Sequence, residues 1–267
     1  MAEILSVRAG NIEMDYAKFG EGPKTLIIIP GLSLKPVLDS AASVEVSYKM
    51  FKQDYTCYLF DRIKNPPETY PVSQMAEDLA AILKELGLQK ADIFGTSQGG
   101  MIAQYLAIHH PEFTNKLILA SSSSRAEPQQ LECIGGWTIM AREGRVDELV
   151  NSFIDHCFTE KFVARYRKVL LKMNSGVTPE EVHRFSIMSD ACAGMNSYDD
   201  LGKIQCPVFV IGAALDSVVT AVASEKIAAK LKSENVPCEF YMYPDMCHAV
   251  YDEAPDYKNR IMEFLQK

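Results

Sequence analysis

Five residues, Gly95-Thr96-Ser97-Gln98-Gly99, limit the folds open to this chain more than any other stretch. They follow a short apolar run ending at Ile93-Phe94 and precede a helical pattern from Met101 to His109 that stops before Pro111. A serine on so sharp a strand-to-helix turn needs strained dihedrals. Gly95 and Gly99, two before and two after it, let the backbone and a neighbouring strand come close without a Cβ clash. The following helix then aims its N-terminus at whatever Ser97 meets, and the Gln98 backbone N–H can donate to a developing oxyanion. A glycine-rich turn alone would also fit these residues; the strand before and the helix after make the pattern specific.

The rest of the chain repeats the same strand-then-helix rhythm. Residues 12 to 19 alternate as a strand between the turn signals Gly10-Asn11 and Gly20-Glu21-Gly22-Pro23, which predicts an opening hairpin. Short apolar runs recur at Leu26 to Ile29, Tyr58 to Phe60, Ile93-Phe94, Leu117 to Ala120, Val208 to Ile211 and Phe240 to Tyr243, as expected of strands buried on both faces. A helix with apolar positions at Met75, Leu79, Ile82, Leu83 and Leu86 is opened by Ser73 and closed by Gly87. Further helical patterns fit Ser224 to Leu231 and Tyr257 to Leu265. The alternation predicts an α/β protein with a mostly parallel central sheet and helices on both faces. It breaks between Arg125 and Lys203, where periodicity is helical (Leu149, Phe153, Ile154, Cys157, Phe158) and no strand is convincing. The expected organisation is therefore a core domain of residues 1–124 and 204–267 carrying a helical insertion at 125–203.

Composition closes off other classes. The chain has 267 residues with 27 Lys plus Arg against 35 Asp plus Glu, a net charge of −8, so a basic face for nucleic acid is not expected. The N-terminal residues Met1 to Arg8 lack the pattern of a signal peptide, and the apolar runs are strand-sized, so no membrane span is expected. Seven cysteines, odd in number and without a C-x-x-C pair, suit a reducing cytoplasm. The five histidines have no metal-site spacing, so neither a metal nor another cofactor is expected.

At the Gly95 to Gly99 stretch the chain resembles the α/β-hydrolase family, and the resemblance runs from the strand at Leu26 to the last helix. That resemblance implies a nucleophile elbow and a serine, acid and histidine in chain order. Pro207 to Asp216 looks like the family's strand, glycine and acidic loop, which marks Asp216 as the acid; the alternative position after the preceding strand holds Ser121 to Ser124. His248, in Tyr243-Pro244-Asp245-Met246-Cys247-His248-Ala249, follows the last strand and is the base. By resemblance the second oxyanion donor is the Leu32 N–H, with Gln98 the first. The sequence departs from the family twice: Pro30-Gly31 stands where His-Gly is usual, and Asp61-Arg62-Ile63-Lys64-Asn65-Pro66-Pro67 lacks the glycines of Asp-x-Arg-Gly-x-Gly. Cys247 reads as a packing residue, and His109 and His110 as helix-end residues. His156 and His183 lie in the insertion without a partner evident from sequence.

The expected chemistry is attack by Ser97 on an acyl carbonyl, with proton transfer to His248 and an acyl-enzyme released by water. The expected substrate is a small, largely uncharged carboxylic ester. The same three residues in relatives serve lactone, thioester, amide and carbon–carbon bond cleavage and perhydrolysis. A receptor that retains them without turnover is the rival from another class. A serine peptidase is less favoured, because the tryptophan found near the nucleophile of proline-specific relatives is absent from Gly95 to Gly100. The insertion is expected to set specificity. Its aromatics Trp137, Phe153, Phe158, Phe162 and Tyr166 fit its own packing better than a pocket lining, and Arg165-Tyr166-Arg167-Lys168 reads as a solvated face. Oligomeric state, a homodimer included, is not readable.

Overall fold

The computed structural model describes residues 1–267. The strands are β1 (Glu3–Ala9), β2 (Ile12–Phe19), β3 (Lys24–Ile29), β4 (Tyr55–Ile63), β5 (Ala91–Thr96), β6 (Thr114–Ala120), β7 (Val208–Ala213) and β8 (Cys238–Tyr243). The helices are α1 (Ala41–Ser47), α2 (Val72–Glu85), α3 (Gln98–His109), α4 (Pro128–Arg142), α5 (Val146–Cys157), α6 (Glu160–Met173), α7 (Pro179–Ala191), α8 (Ala221–Ser233), α9 (Val250–Glu253) and α10 (Tyr257–Gln266). The strands form one sheet of eight in the order β1-β2-β4-β3-β5-β6-β7-β8. The first hairpin is antiparallel, β2 meets β4 antiparallel, and every later pairing is parallel.

Successive strand residues face opposite sides of a sheet, so a strand apolar at every position needs cover on both faces. Here Ile27, Ile29, Ile93, Leu117, Leu119, Val208 and Val210 share one core with α2, α3 and α8. Their neighbours Leu26, Ile28, Phe94, Ile118, Phe209 and Ile211 pack on the other side against Tyr257, Ile261, Phe264 and Leu265 of α10. β8 is the exception to the expected burial. It is one of the sheet's two edges, most of its residues are half-exposed, and Glu239 faces solvent.

Two helix starts differ from the sequence expectation. α2 begins at Val72 with Pro71 at its N-cap, and Ser73 sits inside the first turn without a capping bond, because Pro71 already holds the φ that leads into a helix. Its end is as expected: Gly87 (φ 67°) and Leu88 donate to the carbonyls of Lys84 and Leu83 at 3.1 and 2.9 Å, a Schellman closure. α3 starts directly at Gln98 instead of Met101, so the residue after Ser97 is already helical.

Between β6 and β7 the chain forms α4 to α7 and no ladder strand. It leaves and rejoins the sheet at one point, where Arg125 bridges Asn196 and the Ser197 N–H donates to the Ser124 carbonyl at 2.7 Å. No helix is long and apolar enough to cross a membrane. Register aligns the carboxyl ends of the central strands: Ile29 pairs with Gly95, Ala120 with Thr96 and with Ile211, and Ala213 with Tyr243. The loops that carry Leu32, Ser97, Asp216 and His248 therefore emerge on one edge, the usual ligand side of such sheets.

Candidate active site

Ser97 makes the turn from β5 into α3 with φ 52° and ψ −121°, a strained conformation for a residue with a Cβ. Its surroundings leave no alternative. A Cβ on Gly99 would lie 2.0 Å from the Ile29 carbonyl oxygen, and one on Gly95 2.5 Å from the Gly99 carbonyl oxygen. The Ser97 N–H donates to Ala120 at 2.9 Å, and its carbonyl accepts from the Ser122 hydroxyl at 2.8 Å.

The geometry brings the three sequence-nominated side chains together. His248 Nε2 lies 3.0 Å from Ser97 Oγ, and His248 Nδ1 lies 2.8 Å from Asp216 Oδ2. The other carboxylate oxygen, Oδ1, accepts from the backbone N–H groups of Val218 and Val219 at 2.8 and 3.0 Å. All three residues are buried, at 6%, 7% and 5% exposure for Ser97, Asp216 and His248. Burial alone would raise the Asp216 carboxyl, but His248 and the two amide donors outweigh it and hold it below its ordinary value. The acid therefore stays ionised at neutral pH, and an Nδ1–H on His248 is the tautomer it favours. That leaves Nε2 free to accept from the Ser97 hydroxyl.

The loop after β3 passes close to the serine: a Cβ on Gly31 would lie 3.0 Å from Ser97 Cβ and 3.6 Å from its Oγ. Leu32 follows on that loop and Gln98 opens α3, and neither backbone N–H group has a main-chain partner in the structure.

Sequence reasoning missed a polar network beside this pair. Arg62, at the end of β4, donates to the Pro30 carbonyl at 2.7 Å and to Gln98 Oε1 at 3.1 and 3.3 Å. Gln98 Nε2 donates to the Met188 carbonyl of α7 at 2.5 Å, and Arg184 of the same helix pairs with Asp61 at 2.7 Å. These residues, with Leu32, Ser33 and Met188, line a narrow hollow with room for about one water molecule. The stretch Asp61 to Pro67 departs from the family pattern in its missing glycines, and the charged pair Asp61-Arg62 near the end of an apolar strand was the available signal for the network.

The remaining polar candidates have other partners. His109 and His110 both contact Glu77, at 3.0 and 2.8 Å, and exposed His183 contacts Glu68 at 3.1 Å. His156 bonds the Ser152 carbonyl of its own helix through Nδ1 at 2.8 Å. Cys247 stays a neutral thiol, burial pushing it up to about 11. Trp137 packs on Phe153 with centroids 4.9 Å apart, and Phe162 on Phe158 and Tyr166 at 5.1 and 4.6 Å, so these aromatics pack among themselves. The α5–α6 corner is bonded to both loops of the site: the Ala249 N–H donates to the Cys157 carbonyl at 2.8 Å and Ser217 Oγ to the His156 carbonyl at 3.2 Å.

The fold and its elbow define an α/β hydrolase. The chain belongs to the Hydrolase_4 family, serine aminopeptidase S33, whose model matches residues 39–255. It is similar to 3-oxoadipate enol-lactonase 2 of Acinetobacter baylyi, with 26% identity over 221 residues that cover 80% of each chain. Among solved structures it resembles the enol-lactonase from Burkholderia xenovorans LB400 at a TM-score of 0.84, with 17% identity over 98% of this chain and 100% of that one. It also resembles MGS-M2, an α/β-hydrolase enzyme from a Medee basin deep-sea metagenome library, at 0.85, with 18% identity over 99% and 98% of the two chains. At these identities the structural likeness establishes the fold, and the family establishes a hydrolase.

Proposed function

We propose that the protein hydrolyses the carboxylic ester of a small, largely uncharged substrate through an acyl-enzyme on Ser97. The observation that carries this reading is the continuous bonding from Asp216 through His248 to Ser97 Oγ, at 2.8 and 3.0 Å, on a strained turn. His248 Nε2 takes the Ser97 proton as Oγ attacks the carbonyl carbon, and Asp216 stabilises the imidazolium. The backbone N–H groups of Leu32 and Gln98 receive the oxyanion, and loss of one such donor typically costs about 3 kcal/mol. The imidazolium protonates the departing alkoxide, and the neutral imidazole so formed deprotonates the water that releases the acid. Residues 125–203 act as a helical cap on the body formed by 1–124 and 204–267, supported by the bonds from the α5–α6 corner to both loops of the site. A small substrate suits a serine that is 6% exposed beneath that cap. The seven unpaired cysteines support a reducing cytoplasm.

A second reading is a lactone, an ester closed on itself, favoured by the similarity to a protein named as an enol-lactonase. The chemistry is the same, except that the leaving alkoxide stays tethered to the acyl group. The test is a panel of short p-nitrophenyl esters and small lactones with wild type and Ser97→Ala. Hydrolysis lost by at least ~1000-fold in the variant is expected. A folded Ser97→Ala protein that retains the activity overturns the reading, and tight binding of a small molecule without turnover by wild type points to a receptor.

A further inference from the structure

We propose that Arg62 is a positioning residue that holds the two oxyanion-binding peptides in register. This rests on the serine-hydrolase reading above. The two expected donors belong to different elements: Leu32 to the loop after β3, Gln98 to the first turn of α3. Nothing in the backbone bonds one to the other, yet an oxyanion hole works only if both N–H groups converge on one point within a few tenths of an ångström. Arg62 comes from a third element, β4, and its guanidinium spans the gap. Nη2 donates to the Pro30 carbonyl at 2.7 Å and to Gln98 Oε1 at 3.1 Å, with Nε adding a bond to the same oxygen at 3.3 Å.

The Pro30 carbonyl is the right one to hold. It belongs to the peptide before Gly31, and the Leu32 N–H belongs to the peptide after it. Gly31 has no Cβ, and one would be tight there, 3.0 Å from Ser97 Cβ. A glycine between two peptides lets the second rotate easily. Pinning the first limits that rotation from one side. On the other side, Gln98 is anchored at both ends of its amide, by Arg62 at the oxygen and by the Met188 carbonyl at the nitrogen, which fixes the first turn of α3.

Arginine suits this role for a chemical reason. Its planar fork reaches two acceptors at once, whereas lysine offers a single point of charge. Arg62 is 8% exposed, and although burial lowers its guanidinium to about 10 it remains charged at neutral pH. The nearest carboxylate, Asp61, is taken by Arg184 at 2.7 Å and by the Arg62 backbone N–H at 2.7 Å. The Arg62 head thus bonds only neutral acceptors, and its charge stands in the same hollow as Leu32 and Gln98.

The test uses the full chain with an ester that wild type hydrolyses, and compares Arg62→Lys, Gln98→Met and the double variant. Turnover and fluorophosphonate labelling of wild type come first; failure of both overturns the hydrolase reading and this inference with it. With wild type active, kcat of Arg62→Lys should fall about 10- to 100-fold while KM stays within roughly threefold, the pattern of an interaction made only in the transition state. Affinity for a trifluoromethyl ketone, which forms an oxyanion on the serine, should fall by the same factor. Gln98→Met reads the same strut from its other end should Arg62→Lys fold poorly, and the double variant should lose no more than the worse single one. A folded Arg62→Lys with kcat within twofold of wild type overturns the inference. So does a lowered kcat with unchanged affinity for the ketone, which would mean a merely structural role.

Discussion

Replacing Asp216 by asparagine should disable the site while leaving the fold intact. In the structure Oδ1 accepts two backbone N–H groups, from Val218 at 2.8 Å and Val219 at 3.0 Å, while Oδ2 faces His248 Nδ1 at 2.8 Å. An asparagine has one accepting end and one donating end. Turning its NH2 toward Val218 and Val219 would strand two buried donors, at a cost of roughly 1–3 kcal/mol each, so the amide oxygen stays on that side. The NH2 then faces His248 Nδ1, which must accept, and the ring proton moves to Nε2. That nitrogen lies 3.0 Å from Ser97 Oγ and can no longer take the serine's proton. A wrong-tautomer histidine of this kind costs about 10⁴ in kcat, the loss measured when the corresponding aspartate of a serine protease was changed. At about 1.36 kcal/mol per factor of ten, the barrier rises by ~5.4 kcal/mol. The assay is ester turnover at neutral pH beside near-UV circular dichroism and a thermal melt. A folded Asp216→Asn protein with kcat within tenfold of wild type would refute the tautomer argument.

His248→Ala should lower ester turnover by at least ~1000-fold, whereas Cys247→Ala should leave kcat within about twofold, since that thiol is neutral and outside the bonded chain; steady-state kinetics on both variants decides. Asp216 has its carboxyl held below the ordinary 3.8, so its contribution to stability is fully present above that value and lost as pH falls through the depressed folded-state value. The urea midpoint of wild type should therefore drop more steeply in acid than that of Asp216→Asn, and parallel curves would contradict the shift. Two glycines should respond in opposite ways to alanine: Gly99→Ala meets the Ile29 carbonyl at 2.0 Å and should not give a stable fold, while Gly136→Ala meets nothing within 4 Å inside α4. The second should stabilise by about 1 kcal/mol, read as a raised urea midpoint.

The residues that could be read in advance are those whose chemistry depends on backbone position. Gly95 and Gly99 announce a turn into which no Cβ fits, and runs such as Leu26 to Ile29 announce strands covered on both sides. Asp216 and His248 were legible only through the resemblance to the α/β-hydrolase pattern; in the structure each follows a strand that ends at the same edge of the sheet as Ser97. What stayed hidden was contact between elements distant in sequence. Nothing local says that Arg62 reaches both Pro30 and Gln98, or that Arg184, 123 residues from Asp61, returns on α7 to pair with it. Edge position is nearly hidden for the same reason: Phe240 to Tyr243 reads as an apolar run like the others, and only Glu239 before it hints that no strand lies beyond. The α2 start was misplaced because Ser73 carries a capping side chain, while Pro71 sets the entering dihedral.

The central claim is that Ser97 is activated by its two partners, and covalent labelling tests it most directly. Wild type and Ser97→Ala are exposed to a fluorophosphonate, and intact mass is followed with time. One adduct should form rapidly on wild type and none on the variant, since an ordinary serine hydroxyl reacts too slowly to compete. A folded wild type that stays unlabelled, or a Ser97→Ala protein labelled as fast as wild type, would contradict the account.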